Sequence, residues 1–157
     1  SATRSDVLKL AGVSRASAVI VATNTDDTAV LVTLTARELA PHAKIVATVR
    51  ESDNRHLLKQ SGADSVVVSA ETAGRLLGLA TITPEVVGIM EDLLTPDEGF
   101  SISERRVEES EVGGSPRHLA ELVLGVVRKG HLIKVNEPEA DALESGDRLL
   151  YIKMSAS

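Results

Sequence analysis

Cysteine is absent from the 157 residues. That excludes a disulfide framework, a thiolate metal site and a cysteine nucleophile together. Tryptophan is absent too, and Phe100 and Tyr151 are the only aromatic side chains. Base stacking therefore has almost no platform. Basic excess is also missing: 17 lysines and arginines face 23 acids, a net charge of −6. Phosphate contacts dominate nucleic-acid affinity, so that balance argues against a nucleic-acid partner. No apolar run approaches the ~18 residues of a membrane span, and no signal-peptide pattern opens the chain. A soluble chain in a reducing compartment is expected. No phosphate loop of the GKS/GKT kind, no nucleophile elbow and no GxGxxG occurs.

What is present is enough apolar residue, 43%, for a sizeable core. The charge is uneven. Residues 1–80 hold nine basic and eight acidic side chains, and residues 81–157 hold eight and fifteen. Two units of different character are expected.

Ser5 to Ala11 reads as a short helix with Ser5 as N-cap, Asp6 in the first turn, Val7, Leu10 and Ala11 on one face, and Gly12 as stop. The run Ala18-Val19-Ile20-Val21-Ala22-Thr23 predicts a strand covered on both faces. Asn24-Thr25-Asp26-Asp27 opens a helix over 28–40, closed by Pro41. A strand over 44–49, a helix over 53–61 closed by Gly62, a strand over 65–69 and a helix over 70–80 follow. This alternation predicts a parallel, right-handed sheet. Three strands make a thin sheet, and one as apolar as 19–22 should not lie at a free edge. The expectation is therefore half of a doubly wound, Rossmann-like α/β sheet over 1–80. Its first half would be absent, disordered or supplied by another chain. The helix over 28–40 is apolar almost all round, which fits burial in a larger domain or a subunit interface alike.

Thr83-Pro84-Glu85 starts a further helix that runs to Leu94, with Thr95-Pro96 ending it. Residues 81–98 thus read as a connecting helix. Residues 99–157 read as a small β-rich C-terminal domain, with strands over 100–107, 122–128, 131–135 and 148–153. Lys129-Gly130 is a two-residue hairpin signal, and Glu144-Ser145-Gly146-Asp147 is a turn.

No catalytic constellation emerges. His42, His56, His118 and His131 lack ligand spacing, so no metal site is assigned to them. Gly74 and Gly78 form a small-residue stripe that reads as packing. The acids Asp97, Glu98, Glu104, Glu108, Glu109 and Glu111 read as solvated surface rather than a calcium site, since no ordered loop motif holds them. The best site candidate follows from topology. Ligands of open parallel sheets sit beyond the carboxyl ends of the strands. That edge carries Thr23, Asn24, Thr25 and Asp26 after the first strand and Arg50 after the second. Threonine and asparagine offer neutral donors and acceptors, Asp26 an acceptor for a ribose hydroxyl, and Arg50 a phosphate donor. The structural alternative is equally concrete: Asp26 or Asp27 caps a helix and Arg50 is a solvated strand-end charge.

The segments Ser1-Ala2-Thr3, Val7-Leu8, Ala11-Gly12-Val13, Ala18–Thr23, Asp26-Asp27-Thr28, Thr33–Leu39, Gly62-Ala63-Asp64 and Ala73–Leu77 resemble the RCK (regulator of potassium conductance) nucleotide-binding domain. Gly114-Ser115-Pro116, the 124–135 hairpin, Ala142-Leu143 and Gly146–Leu150 are similar to its C-terminal companion. The resemblance spans nearly the whole chain in order. It implies a regulatory module rather than an enzyme, on the cytoplasmic face of the cell membrane, gating a potassium-channel pore. It implies homo-dimers within a larger ring. The helices over 28–40 and 53–61 would make ring contacts, and those over 70–94 a swapped dimer contact. It implies an adenine nucleotide or NAD in the full domain, with potassium transported rather than bound here. The family's glycine-rich turn is not among these residues. Thr48 and Arg50 stand where some relatives carry calcium-binding carboxylates. The alternatives are a peripheral subunit of a potassium-uptake transporter and, further off, a fragment of an NAD-dependent dehydrogenase.

Overall fold

The computed structural model describes residues 4–95 and 99–154. They divide into two compact units, Ser1–Ile82 and Thr83–Ser157.

In the first unit the elements are α1 (Ser5–Leu10), β1 (Ala18–Val21), α2 (Asp26–Leu39), β2 (Lys44–Val49), α3 (Arg55–Gln60), β3 (Ser65–Val68) and α4 (Ser69–Ile82). A 3-10 turn, Ser52–Asn54, leads into α3. The sheet is parallel in the order β1-β2-β3, with Val19 opposite Ile45 and Ala47 opposite Val66. Side chains alternate across a strand, so this register sorts them cleanly. One face presents Val21, Ile45, Ala47, Val49 and Val68, all buried. Ala29, Val32 and Ala36 of α2, Leu8 of α1 and Leu58 of α3 share their core. The small alanines let α2 lie close to the sheet. The other face carries Ile20, 76% exposed, Val67, 40% exposed, and half-buried Val46 and Thr48.

That corrects the reading of 18–23 as a strand covered on both faces. β1 is also an edge strand of the described sheet. Its apolar run reflects composition, whereas cover depends on what lies above it. In α1, Arg4 rather than Ser5 is the N-cap residue, and its guanidinium pairs with Asp6 at 2.7 Å. The apolar face also shifts by one residue: Leu8 is buried while Leu10 is 88% exposed. A six-residue helix holds under two turns, so periodicity fixes its phase poorly.

Arg37 of α2 fastens the far end of the sheet. Its guanidinium donates to the carbonyls of Pro41 and Ala43 at 2.8 Å, to that of Gly62 at 2.8 Å and to Asp64 at 2.9 Å. Asp64 also accepts from the Ile45 amide at 2.7 Å, and that bond leads in holding its carboxyl below the usual range. Gly62 has φ +104°, and an added Cβ would lie 2.9 Å from Arg37 Cγ. Backbone strain and the guanidinium stem both require glycine there. On α4 no described residue is buried, and no other group lies within 4 Å of where a Cβ on Gly74 or Gly78 would stand.

The second unit holds α5 (Val86–Leu94), β4 (Phe100–Arg106), β5 (Leu122–Arg128), β6 (His131–Lys134) and β7 (Arg148–Met154). Its sheet is antiparallel in the order β4-β7-β5-β6. Lys129 (φ 50°) and Gly130 (φ 81°) make the β5–β6 turn, the left-handed pair a two-residue hairpin needs. The core is small: Val123, Val126, Ala140, Leu143 and Leu149. Two arginine braces supplement it. Arg105 pairs with Glu111 at 2.7 Å and Glu121 at 2.8 Å. Arg128 reaches Asp147 at 2.8 Å and the Ala142 carbonyl at 2.9 Å. Among the described residues no helix is long and apolar enough to cross a membrane.

Candidate functional site

The carboxyl ends of β1 and β2 lie side by side, because Val21 pairs with Ala47 in register. The chain leaving β1 therefore meets the chain leaving β2. All five predicted residues, Thr23, Asn24, Thr25, Asp26 and Arg50, come together at this edge.

Local bonding sets the shape. Thr23 Oγ1 donates to the Thr25 carbonyl at 2.9 Å, which folds the segment into the start of α2. Thr25 is the N-cap residue of α2, and its hydroxyl bonds to that of Thr28 at 2.9 Å rather than to the backbone. Neither Asp26 nor Asp27 occupies the cap position: both lie in the first turn, where a negative charge suits the helix dipole. The Arg50 guanidinium crosses to the β1 side and donates from Nη1 to the Asn24 carbonyl at 3.3 Å.

Asp26 joins the two segments. Its Oδ1 accepts from the Arg50 amide at 2.9 Å. Its Oδ2 accepts from the Glu51 amide at 3.2 Å and from Asn54 Nδ2 at 2.8 Å. These bonds hold its carboxyl below the ordinary aspartate value, with the Asn54 amide contributing most and the Arg50 amide next. The group stays ionised and well supplied with donors. Asn54 was not foreseen at this edge. The signal for it was an amide side chain just ahead of a helix, a position where such residues bond to nearby groups.

The other chemical candidates do not converge. Among the described residues, no group of three or more histidines or acids is placed to hold a metal ion. Asp97 and Glu98 lie outside the described residues. Glu104 pairs with Arg148, and Glu111 with Arg105, which holds the Glu111 carboxyl at about 2. His56 Nδ1 lies 2.7 Å from the Asp53 carbonyl.

Comparison with known proteins places this architecture. Residues 1–69 match the TrkA-N domain family. Potassium channel protein 1 of Methanocaldococcus jannaschii is 25% identical over 152 residues, covering 93% of this chain and 46% of that protein. The chain spans less than half the length of the curated relatives it matches. The GsuK RCK domain superposes with a TM-score of 0.51 at 28% identity, covering 99% of this chain and 34% of that one. The same protein is known as a channel bound to NAD, at 27% identity and a TM-score of 0.51 over 99% of this chain and 28% of that one. The gating ring of human SLO3 shares the fold, with a TM-score of 0.74 at 15% identity over 98% of this chain and 35% of that one. With its order of elements, its parallel and antiparallel sheets and these matches along its length, the chain is similar to RCK domains of potassium channels, and its residues 1–69 match the TrkA-N domain.

Proposed function

We propose that this chain is a ligand-sensing module on the cytoplasmic face of the membrane that gates a potassium channel through an oligomeric ring. It would act by binding rather than by catalysis. The observation that carries the reading is the RCK likeness along essentially the whole chain, which includes a channel bound to NAD. The first unit supports it physically. A sheet covered on one face, with Ile20, Val46 and Val67 on the other, is what the second half of a doubly wound domain presents to its first half. Thr23 to Asp26 and Arg50 would then face an adenine nucleotide or NAD at the strand ends.

Exposed apolar surface supports assembly into dimers and a ring. On α2, Leu31 and Leu34 are 52% and 48% exposed although the opposite side of that helix is buried. On α4, Leu77 and Ile82 are exposed. In the second unit Ile89, Leu93, Phe100, Leu122, Ile152 and Met154 line a hollow of about 220 Å³. Such surface is costly in an isolated monomer.

The energetic demand is modest. Moving a gate from 1:99 to 99:1 takes about 5.5 kcal/mol of differential binding. Spread over a ring of about eight domains, that is roughly 0.7 kcal/mol per site, or about threefold in affinity. Calorimetric titration of the full-length protein with adenine nucleotides, NAD and divalent cations tests the reading, paired with channel-opening recordings. A ligand that binds and shifts opening is the expected result. No binding together with no effect on opening overturns it.

A further inference from the structure

The bonding at the strand ends assigns different work to its two charged residues. Three donors converge on the Asp26 carboxylate, and all three come from the turn after β2, at positions 50, 51 and 54. A carboxylate offers about four acceptor positions, so little remains for a ribose hydroxyl. Turning it toward a ligand would strip two backbone amides and an asparagine amide of their partner. Arg50 is in the opposite situation. Its backbone amide is fixed by Asp26, while its guanidinium makes one long bond, 3.3 Å, to the Asn24 carbonyl. A guanidinium has five N–H donors in a planar fork. Most of that fork is unspent, and it lies over the β1 end.

We infer that Asp26 is a positioning residue that fixes the turn carrying Arg50, and that the Arg50 guanidinium receives a phosphate group of the bound nucleotide. This rests on the nucleotide-sensing reading above and sharpens it: the recognised chemistry at this edge is phosphate rather than ribose. The clamp removes freedom from Arg50 before the ligand arrives, so less ordering entropy is lost on binding.

The test compares ADP with adenosine by calorimetry on the full-length protein. The variants are Arg50→Gln, Asp26→Asn and Asn54→Ala, each checked for an unchanged thermal melt. Wild type should bind ADP more tightly than adenosine. Arg50→Gln should weaken ADP about tenfold, the scale of one hydrogen bond to a charged group, and leave adenosine unchanged. Asp26→Asn should weaken ADP severalfold, again sparing adenosine, and should add nothing further in the Arg50→Gln background. Asn54→Ala keeps the carboxylate and loosens only the turn, so it should give a smaller loss of the same kind. Equal loss of ADP and adenosine in Asp26→Asn would place Asp26 on the ribose and overturn the assignment. Unchanged ADP affinity in Arg50→Gln would overturn it as well. Wild type binding neither ligand would overturn the nucleotide reading itself and the assignment with it, and that failure is recognisable without any variant.

Discussion

The two units hold together by different means. The first lays three helices over one face of a parallel sheet and buries a continuous aliphatic layer from Leu8 to Val68. Its polar brace at the far end of the sheet, Arg37 with Asp64, is half in solvent, since the Asp64 side chain is 55% exposed. Among the described residues, the core of the second unit buries five apolar side chains, and Arg105 and Arg128 tie its loops. Asp147 there is 2% exposed. A small core cannot carry a domain easily, and buried, well-bonded ion pairs then define loop geometry. The difference teaches where each unit is vulnerable: the first to lost volume, the second to lost charge.

The largest expected effect lies in the second unit. Arg128→Ala leaves Asp147 buried without its partner and should cost that unit about 4 kcal/mol. Urea unfolding followed by fluorescence of Tyr151, the only tyrosine, reads the second unit alone. A loss under about 1 kcal/mol would show that the brace is dispensable and break the contrast.

In the first unit the matching test is Leu58→Ala, since Leu58 of α3 is fully buried. A cavity there should cost about 3 kcal/mol. Backbone exchange over β2 and β3 should rise while the Tyr151 transition stays in place. Joint movement of both would mean that the units unfold as one.

Acid should weaken the second unit next. The Glu111 carboxyl is held at about 2 in the folded chain against an ordinary 4.5, chiefly by its hydrogen bond from Arg105. A carboxyl lowered in this way stabilises fully above its unfolded value and progressively less as pH falls toward its folded value. Asp147 is lowered too: its bonds to Arg128 and the Glu144 amide outweigh the burial that opposes them. Melting between pH 5 and pH 2 should therefore drop for the Tyr151 transition. Glu111→Gln should flatten that dependence.

The smallest effect is a gain. Thr33 on α2 is fully buried, and its hydroxyl has no hydrogen-bond partner. Thr33→Val keeps the shape and removes the orphan group, so the first unit should gain about 1 kcal/mol. A loss on denaturant unfolding would mean that the hydroxyl is satisfied in solution.

Much of the fold was legible. Runs such as 44–49 and 65–68 are strands because β-branched residues dominate them, and the helices between them carry turn residues at their borders. Lys129-Gly130 announced its hairpin through the backbone freedom that the turn needs. Phase was poorly legible where elements are short, as in α1. The arginine braces were not legible either. Arg37 and Asp64 are 27 residues apart, and Arg128 and Asp147 are 19 apart. No local pattern marks such pairs among the other charges. At the strand ends, topology gathered Thr23, Asn24, Thr25, Asp26 and Arg50, but said nothing of where the Asp26 carboxylate points.

The amino-acid sequence by itself determined the order and type of the elements, because apolar period and turn chemistry act over a few residues. It also determined the change from alternating strands and helices to a β-rich stretch from about residue 99. Only the tertiary structure decided which face of the first sheet is covered and which stays open. Only it decided that Asp26 is spent on the neighbouring turn while the Arg50 guanidinium remains largely free. Both depend on which distant groups arrive within hydrogen-bonding or van der Waals reach, and that is a property of register and packing rather than of local sequence.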